Sequence, residues 1–278
     1  MFQGKRIGVT VPAYNEEALI TTMIDNVPPY VDRIYVVNDG STDSTGRIVS
    51  GMCRSNDKLV LINHPTNRGV GAAIVTGYKK CLEDGIDIAV VMAGDNQMDP
   101  VELPSLLEPI VSGKASYSKG NRMSSPRHME GMPRWRRLGN RLLRWLTRVS
   151  SGNYEILDPQ NGYTAASADA LRKIDLDSVY PNYGYCNDLL VKFTVAHVWI
   201  AEVPMPARYL GEKSKIRYRE YIPKVTWLLL SSFVWRMKMA WTLSSQRQRA
   251  RDRARLVAGA RPLVKVKLYP PGGSDNRQ

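Results

Sequence analysis

Three stretches of this 278-residue chain place polar side chains directly behind apolar runs. They are Pro12-Ala13-Tyr14-Asn15 followed by Glu16, Asp39-Gly40-Ser41-Thr42, and Ala93 to Asp99, which holds Asp95, Asn96 and Gln97. Carboxylates and amides in such loops accept hydrogen bonds from a polar ligand or offer oxygen to a hard divalent ion. A further carboxylate, Asp188, precedes Leu189-Leu190. The chain is also rich in cations, with 39 Lys and Arg against 26 Asp and Glu. Arginine grips phosphate oxygens in bidentate fashion and lysine adds a point charge. Each residue also has a plainer use. Asp-Gly-Ser is ordinary turn chemistry, and Glu16 and Asp188 suit the first turn of a helix.

Other chemistries are excluded at this stage. No GxGxxG follows the first apolar run and no GxxxxGK[ST] occurs, which argues against dinucleotide oxidoreductases and P-loop enzymes. Cys53, Cys81 and Cys186 are distant and odd in number, so neither a disulfide framework nor a zinc cluster is available. They read as buried packing residues in a reducing compartment.

The elements that must position these loops alternate. Arg6 to Val11, Arg33 to Asn38, Lys58 to Asn63 and Ile86 to Met92 read as strands. Glu16 to Asn26, Asp43 to Met52 and Gly71 to Asp84 read as helices. Repeated βαβ order predicts an α/β fold with a mainly parallel central sheet flanked by helices, and such sheets bind ligands beyond the carboxyl ends of their strands. All three polar loops fall there.

Charge is concentrated in two segments. Lys114 to Arg148 carries net +9 and Arg208 to Arg261 net +11, so the total of +13 leaves −7 on the rest. In the first segment Trp135, Leu138, Leu142, Leu146 and Val149 share one helical face while Arg137, Arg141, Arg144 and Arg148 lie on another. In the second, Trp227, Trp235 and Trp241 border a leucine run flanked by Lys224, Arg236 and Lys238, a composition suited to a membrane interface. Both helices also fit a bland reading, packed on the domain with solvated charges. The longest charge-free apolar stretch, Val225 to Trp235, is too short to span a bilayer, and Met1 to Ala13 lacks a secretory signal, so the expected location is cytoplasmic. No nucleic-acid-binding signature accompanies the charge, and no nucleic-acid partner is expected.

The motifs combine. Val11-Pro12-Ala13-Tyr14-Asn15-Glu16-Glu17, Val37-Asn38-Asp39-Gly40-Ser41-Thr42-Asp43, Asn67-Arg68-Gly69-Val70-Gly71-Ala72-Ala73 and Gly94-Asp95-Asn96-Gln97-Met98-Asp99-Pro100 resemble, in order and spacing, the family 2 glycosyltransferases of GT-A fold. The resemblance covers roughly Arg6 to Lys238 and is nearest the dolichyl or polyprenyl phosphate sugar synthases. Asp158-Pro159-Gln160-Asn161-Gly162-Tyr163-Thr164-Ala165-Ala166 and Tyr183-Gly184-Tyr185-Cys186-Asn187-Asp188-Leu189-Leu190 are similar to two further segments of that family, and Gly120-Asn121-Arg122, Arg137 to Arg141 and Arg208 to Lys215 look like its anion-holding segments.

The resemblance implies a nucleotide-diphosphate sugar donor held by Pro12, Tyr14, Glu16, Asp39, Arg68, Gly69, Asp95 and Asn96. It implies Mg²⁺ or Mn²⁺ on Asp95 and Gln97, and a polyprenyl phosphate acceptor beside Arg122, Arg137, Gly162, Arg208 and Lys215. Asp95, Asp188 and Arg122 are the expected catalytic residues, Asp188 serving as base if the acceptor is a hydroxyl. One departure stands out: Ala93 occupies the place of the family's first aspartate, which leaves the metal with a water or Asp99 in its stead, or the chain as a binding module without turnover. The implied organisation is a catalytic domain over 1–210, with a nucleotide-sugar half (1–100) and an acceptor half (101–210), basic amphipathic membrane-associating helices over 211–260, and a tail over 261–278. The protein is expected to sit peripherally on the cytoplasmic face of an anionic membrane.

Overall fold

A computed structural model describes residues 1–125, 127–129, 134–206 and 218–258, with the side chains of 129, 134–138, 218–220 and 242–258 outside that description. The sheet contains seven strands: β1 (Ile7–Ala13), β2 (Arg33–Asp39), β3 (Leu59–His64), β4 (Ile88–Val91), β5 (Tyr117–Asn121), β6 (Thr164–Ser167) and β7 (Ile200–Pro204), in the order β3-β2-β1-β4-β6-β5-β7. β6 runs antiparallel to both its neighbours; all other pairs are parallel. The carboxyl ends of β1 to β4 therefore open on one edge, as the βαβ alternation requires.

Side chains alternate across the strands and build two core layers. Ile7, Val9 and Val11 of β1, Val36 of β2 and Val90 of β4 pack under α1 (Ile20–Asp25), α2 (Thr45–Met52) and α4 (Leu103–Val111). Tyr35, Ala89, Val91 and Tyr117 face the other way, against α3 (Val70–Glu83), α6 (Ala168–Arg172) and α7 (Tyr185–Val195). Cys81 and Cys186 are buried, Cys53 partly so, and all three are free thiols; burial pushes Cys81 up to about 12. Gly77 lets α3 lie on β1: a Cβ there would sit 2.1 Å from Thr10 Cγ2. Thr10 is fully buried. Gly77→Ala should therefore lose about 2 kcal/mol of stability in chemical denaturation, overpacking outweighing the ~1 kcal/mol helical gain.

α1 begins at Ile20, four residues after the expected start at Glu16. The cause is local. Asn15 has φ +54°, and the backbone N–H groups of Asn15, Glu16 and Glu17 donate to Ser41 Oγ, Thr45 Oγ1 and Asp43 Oδ2, so this stretch is committed to the neighbouring loop.

α5 (Arg134–Ser151) is helical as expected, but its packed face differs. Thr147, Ser150 and Ser151 are buried, while Leu142 and Trp145 remain about 60% exposed. Small polar residues permit close contact here: Asn187 Nδ2 donates to Thr147 Oγ1 (3.1 Å), and Ser150 Oγ donates to Leu229 O (2.8 Å). Leu229 belongs to α8 (Tyr218–Ala258). Arg236, expected as a surface cation, instead donates to the carbonyls of Ser150 (2.7 Å) and Val149 (3.0 Å), satisfying the carboxyl end of α5. The chain divides into the units Met1–Arg236 and Met237–Gln278. The expected tail over 261–278 lies outside the described residues.

Candidate active site

The loops at the shared strand edge are tied to one another. After β1, Asn15 Oδ1 accepts from Thr42 N–H (2.8 Å), joining it to the turn after β2. That turn is closed by Asn38 Oδ1 accepting from Ser41 N–H (3.2 Å). Asp39, at the last position of β2, is almost fully buried; its carboxylate accepts from the backbone N–H of Arg68 (2.9 Å) and Gly69 (2.8 Å) and pairs with His64 Nδ1 (2.7 Å). Gly69, at φ +98°, is required for this approach, because a Cβ would lie 2.4 Å from Pro181 O and 2.5 Å from Asn182 Oδ1. The loop from Tyr180 to Gly184 is thereby laid against the Arg68–Gly69 turn, while the Arg68 side chain stays exposed.

The loop after β4 joins the same mouth. Gly94 N–H donates to Pro12 O (3.3 Å), and a Cβ on Gly94 would meet Glu16 Cγ at 3.3 Å. Asp95 is half-buried, with Oδ1 accepting from Gln97 N–H (3.1 Å), and Asn96 is buried at φ +57°. Partial burial raises the pKa of Tyr183, which remains 41% exposed, and the charges of Asp95 and Glu16 raise it further. Tyr163 Oη donates to Asp99 O (3.1 Å), and Gly162 lies against Met98 and the Tyr185 hydroxyl. Pro12, Tyr14, Glu16, Asp39, Arg68, Gly69, Asp95, Asn96, Gln97 and Gly162 thus come from strand ends and loops tied to one another at one edge.

Three of the expected residues have structural partners in this geometry. Asp188 is buried, accepts from Tyr180 N–H (2.8 Å) and pairs with Lys192 at 2.8 and 2.9 Å, so it fastens the 180–184 loop to α7. A general base with both oxygens so occupied is poorly placed to take a proton. Asp99 caps the turn Pro100–Glu102, its Oδ1 accepting from Val101 N–H (3.0 Å). Arg122 turns inward, where Nε and one terminal nitrogen bond the two oxygens of Asp158 at 2.8 and 3.0 Å. Arg208 and Lys215 lie outside the described residues, as does the side chain of Arg137.

Burial disfavours the charged form of Asp158, but the Arg122 guanidinium outweighs it and holds the carboxyl below the ordinary range. Beneath the pair, Lys119 is fully buried and donates to Asp158 O; burial lowers its pKa, with Asp158 the main opposing influence. Glu202 accepts from Leu157 and Asp158 N–H (2.8 and 2.9 Å), completing the support of the loop that leads to Gly162.

The family model described as glycosyl transferase family 2 matches residues 9–175. The chain belongs to this family. Among similar curated members, a UDP-N-acetylglucosamine--dolichyl-phosphate N-acetylglucosaminyltransferase of Methanococcus voltae is 32% identical over 74% of this chain and 86% of its own length. An undecaprenyl-phosphate mannosyltransferase of Micrococcus luteus is 31% identical with the same coverage of each chain. The GT-A fold is matched by glucosyl-3-phosphoglycerate synthase of Mycobacterium tuberculosis, solved with Mn²⁺, UDP and glucosyl-3-phosphoglycerate, at a TM-score of 0.61 and 23% identity over 84% of this chain and 80% of that one. Sequence reasoning gave no role to two residues at this edge, His64 and Tyr183. The former ends an apolar strand and the latter sits in a turn, and only the tertiary contact gives either a role.

Proposed function

We propose that this family 2 member is an inverting glycosyltransferase that moves a sugar from a nucleoside diphosphate sugar to a polyprenyl phosphate at the surface of an anionic membrane. The observation that carries the reading is the single rim formed by Glu16, Asp39, Arg68, Asp95 and Tyr183, which offers acceptors to a nucleoside on one side and a carboxylate to a diphosphate on the other. Relatives whose names specify dolichyl or undecaprenyl phosphate acceptors support the acceptor class.

No cluster of three or more His, Cys, Asp or Glu exists among the described residues. A hard divalent ion bound together with substrate needs less, one or two carboxylates plus the substrate's phosphates. Asp95 and the Gln97 amide supply oxygen donors of the right chemistry and would hold Mg²⁺ or Mn²⁺. Such an ion stabilises charge on the departing diphosphate. The remaining work falls to the chain itself: Asp39 and Glu16 orient the nucleoside, and the tied loops align donor and acceptor for in-line attack. A phosphate ester has a second pKa of about 6, so its oxygen attacks without a base, which fits the engagement of Asp188.

Membrane contact is supported by exposed apolar side chains. Trp227, Leu230 and Val234 line one face of α8, opposite buried Val225, Leu228, Leu229 and Ser232, and α5 exposes Leu142 and Trp145. No described helix is long and apolar enough to cross a membrane. A peripheral position on the cytoplasmic face follows from this reading.

The test is nucleoside diphosphate release with and without a short-chain polyprenyl phosphate in detergent, with the product identified by mass. Release that requires the lipid and yields a glycosylated lipid phosphate is expected; donor binding with no lipid product overturns the proposal. In the same assay Asp188→Asn should keep kcat within about tenfold of wild type, whereas loss of a true base costs ~10²–10⁴-fold.

A further inference from the structure

The carboxylate of Asp39 is nearly full before any ligand arrives. A carboxylate has about four lone-pair positions. Oδ1 receives His64 Nδ1 at 2.7 Å and Arg68 N–H at 2.9 Å, and Oδ2 receives Gly69 N–H at 2.8 Å. One position, on Oδ2, remains. Since a carboxylate only accepts, Nδ1 of His64 carries the proton in this contact, and Nε2 is fixed by the Thr76 hydroxyl at 3.0 Å. His64 is buried, so the imidazole is locked from both sides.

We infer that His64, by filling Asp39 Oδ1, makes the site selective for a uracil nucleotide over a guanine nucleotide. The inference rests on the proposed contact between Asp39 and the base. Uracil presents one imino N–H between two carbonyls, which suits a single acceptor position. The exposed Arg68 side chain, on the same turn, carries donors suited to a flanking carbonyl. Guanine presents two adjacent donors, N1–H and the 2-amino group, and its bidentate fit needs an acceptor on each carboxylate oxygen. With Oδ1 occupied, one guanine donor is left unpaired in a desolvated site, a loss that selective sites convert into strong discrimination. His64 is a positioning residue here, acting on the base through Asp39.

The experiment is calorimetric titration of the full chain with UDP, GDP and N3-methyl-UDP in the presence of Mn²⁺, with no lipid needed. UDP should bind at least about tenfold more tightly than GDP, and N3-methyl-UDP should lose at least about tenfold relative to UDP. Unimpaired binding of N3-methyl-UDP would show that Asp39 does not meet the base, sinking the underlying contact. Loss with N3-methyl-UDP but equal or tighter binding of GDP would overturn the selectivity alone. His64→Ala should narrow the UDP/GDP ratio several-fold by opening Oδ1, and His64→Asn, whose amide can still donate there, should restore it. An unchanged ratio in His64→Ala contradicts the inference; should that variant fail to fold, the wild-type ratios decide.

Discussion

Asp95→Ala is expected to reduce sugar transfer about 10³-fold while leaving thermal unfolding close to wild type. The size follows from the charge that must be stabilised. A nucleoside diphosphate leaves with an added negative charge, and loss of a comparable electrostatic stabiliser costs ~10²–10³ in kcat, with a metal contributing several kcal/mol. Ala93 stands where a second carboxylate is expected, so the charge of the loop after β4 is carried by Asp95 and by Asp99, whose Oδ1 caps the following turn. A modest structural loss is expected, because Asp95 is half-buried and its Oδ1 closes a local turn by accepting from Gln97 N–H. Steady-state rates over a Mn²⁺ titration check this, with apparent metal affinity as a second readout. A variant that retains a tenth of wild-type activity with unchanged metal dependence would remove Asp95 from the charge-stabilising role.

Much of the fold was readable from short-range pattern. The strands through β4 and the helices α2 and α3 follow from apolar runs and polar punctuation, and their boundaries moved by one or two residues. The start of α1 was not readable, since Glu16 and Glu17 suit a first helical turn and only the partners at Asp43 and Thr45 show where their N–H groups go. The reversed strand β6 was equally hidden, because Thr164–Ser167 is four small residues whose direction is set by pairing with β4 and β5. Helix α5 shows the limit of amphipathicity. Leu142 belongs to the apolar stripe, yet the contact is made by Thr147 and Ser150, because close helix approach and side-chain-to-backbone bonds favoured small polar residues.

The site divides in the same way. The position of Glu16, Asp39, Arg68 and Asp95 at one edge of the sheet was legible because each lies at or after the end of a strand in a recognisable motif. The occupation of Asp39 by His64 and of Arg122 by Asp158 was not, because the partners lie 25 and 36 residues apart and nothing local announces them. The same blindness left Asp188 open as a base for a hydroxyl acceptor. Its i,i+4 partner Lys192 was in view, but burial, which turns a weak surface pair into an organised one, is a tertiary property.

The Arg122–Asp158 pair carries the largest expected stability effect. Asp158 is 1% exposed and Arg122 closes it in bidentate geometry, with Lys119 buried beneath. Arg122→Met should cost about 3–5 kcal/mol in denaturant unfolding, since it leaves a desolvated carboxylate that has lost its main counter-charge. The double variant Arg122→Met/Asp158→Leu should recover part of this loss, because the penalty lies in the stranded charge rather than in the missing attraction. The pair also sets an acid limit. The folded-state pKa of Asp158 is held below its unfolded value, near 3.9, so its contribution is complete above that value and is lost as pH falls through the folded pKa. Arg122→Met should accordingly show a shallower loss of stability below about pH 4 than wild type. Sugar transfer should fall with stability, because the loop from Asp158 to Tyr163 holds Gly162 against Met98 in the loop that bears Asp95. If the double variant is no more stable than Arg122→Met, the pair works through shape and hydrogen bonding, and charge burial is not the source of its effect.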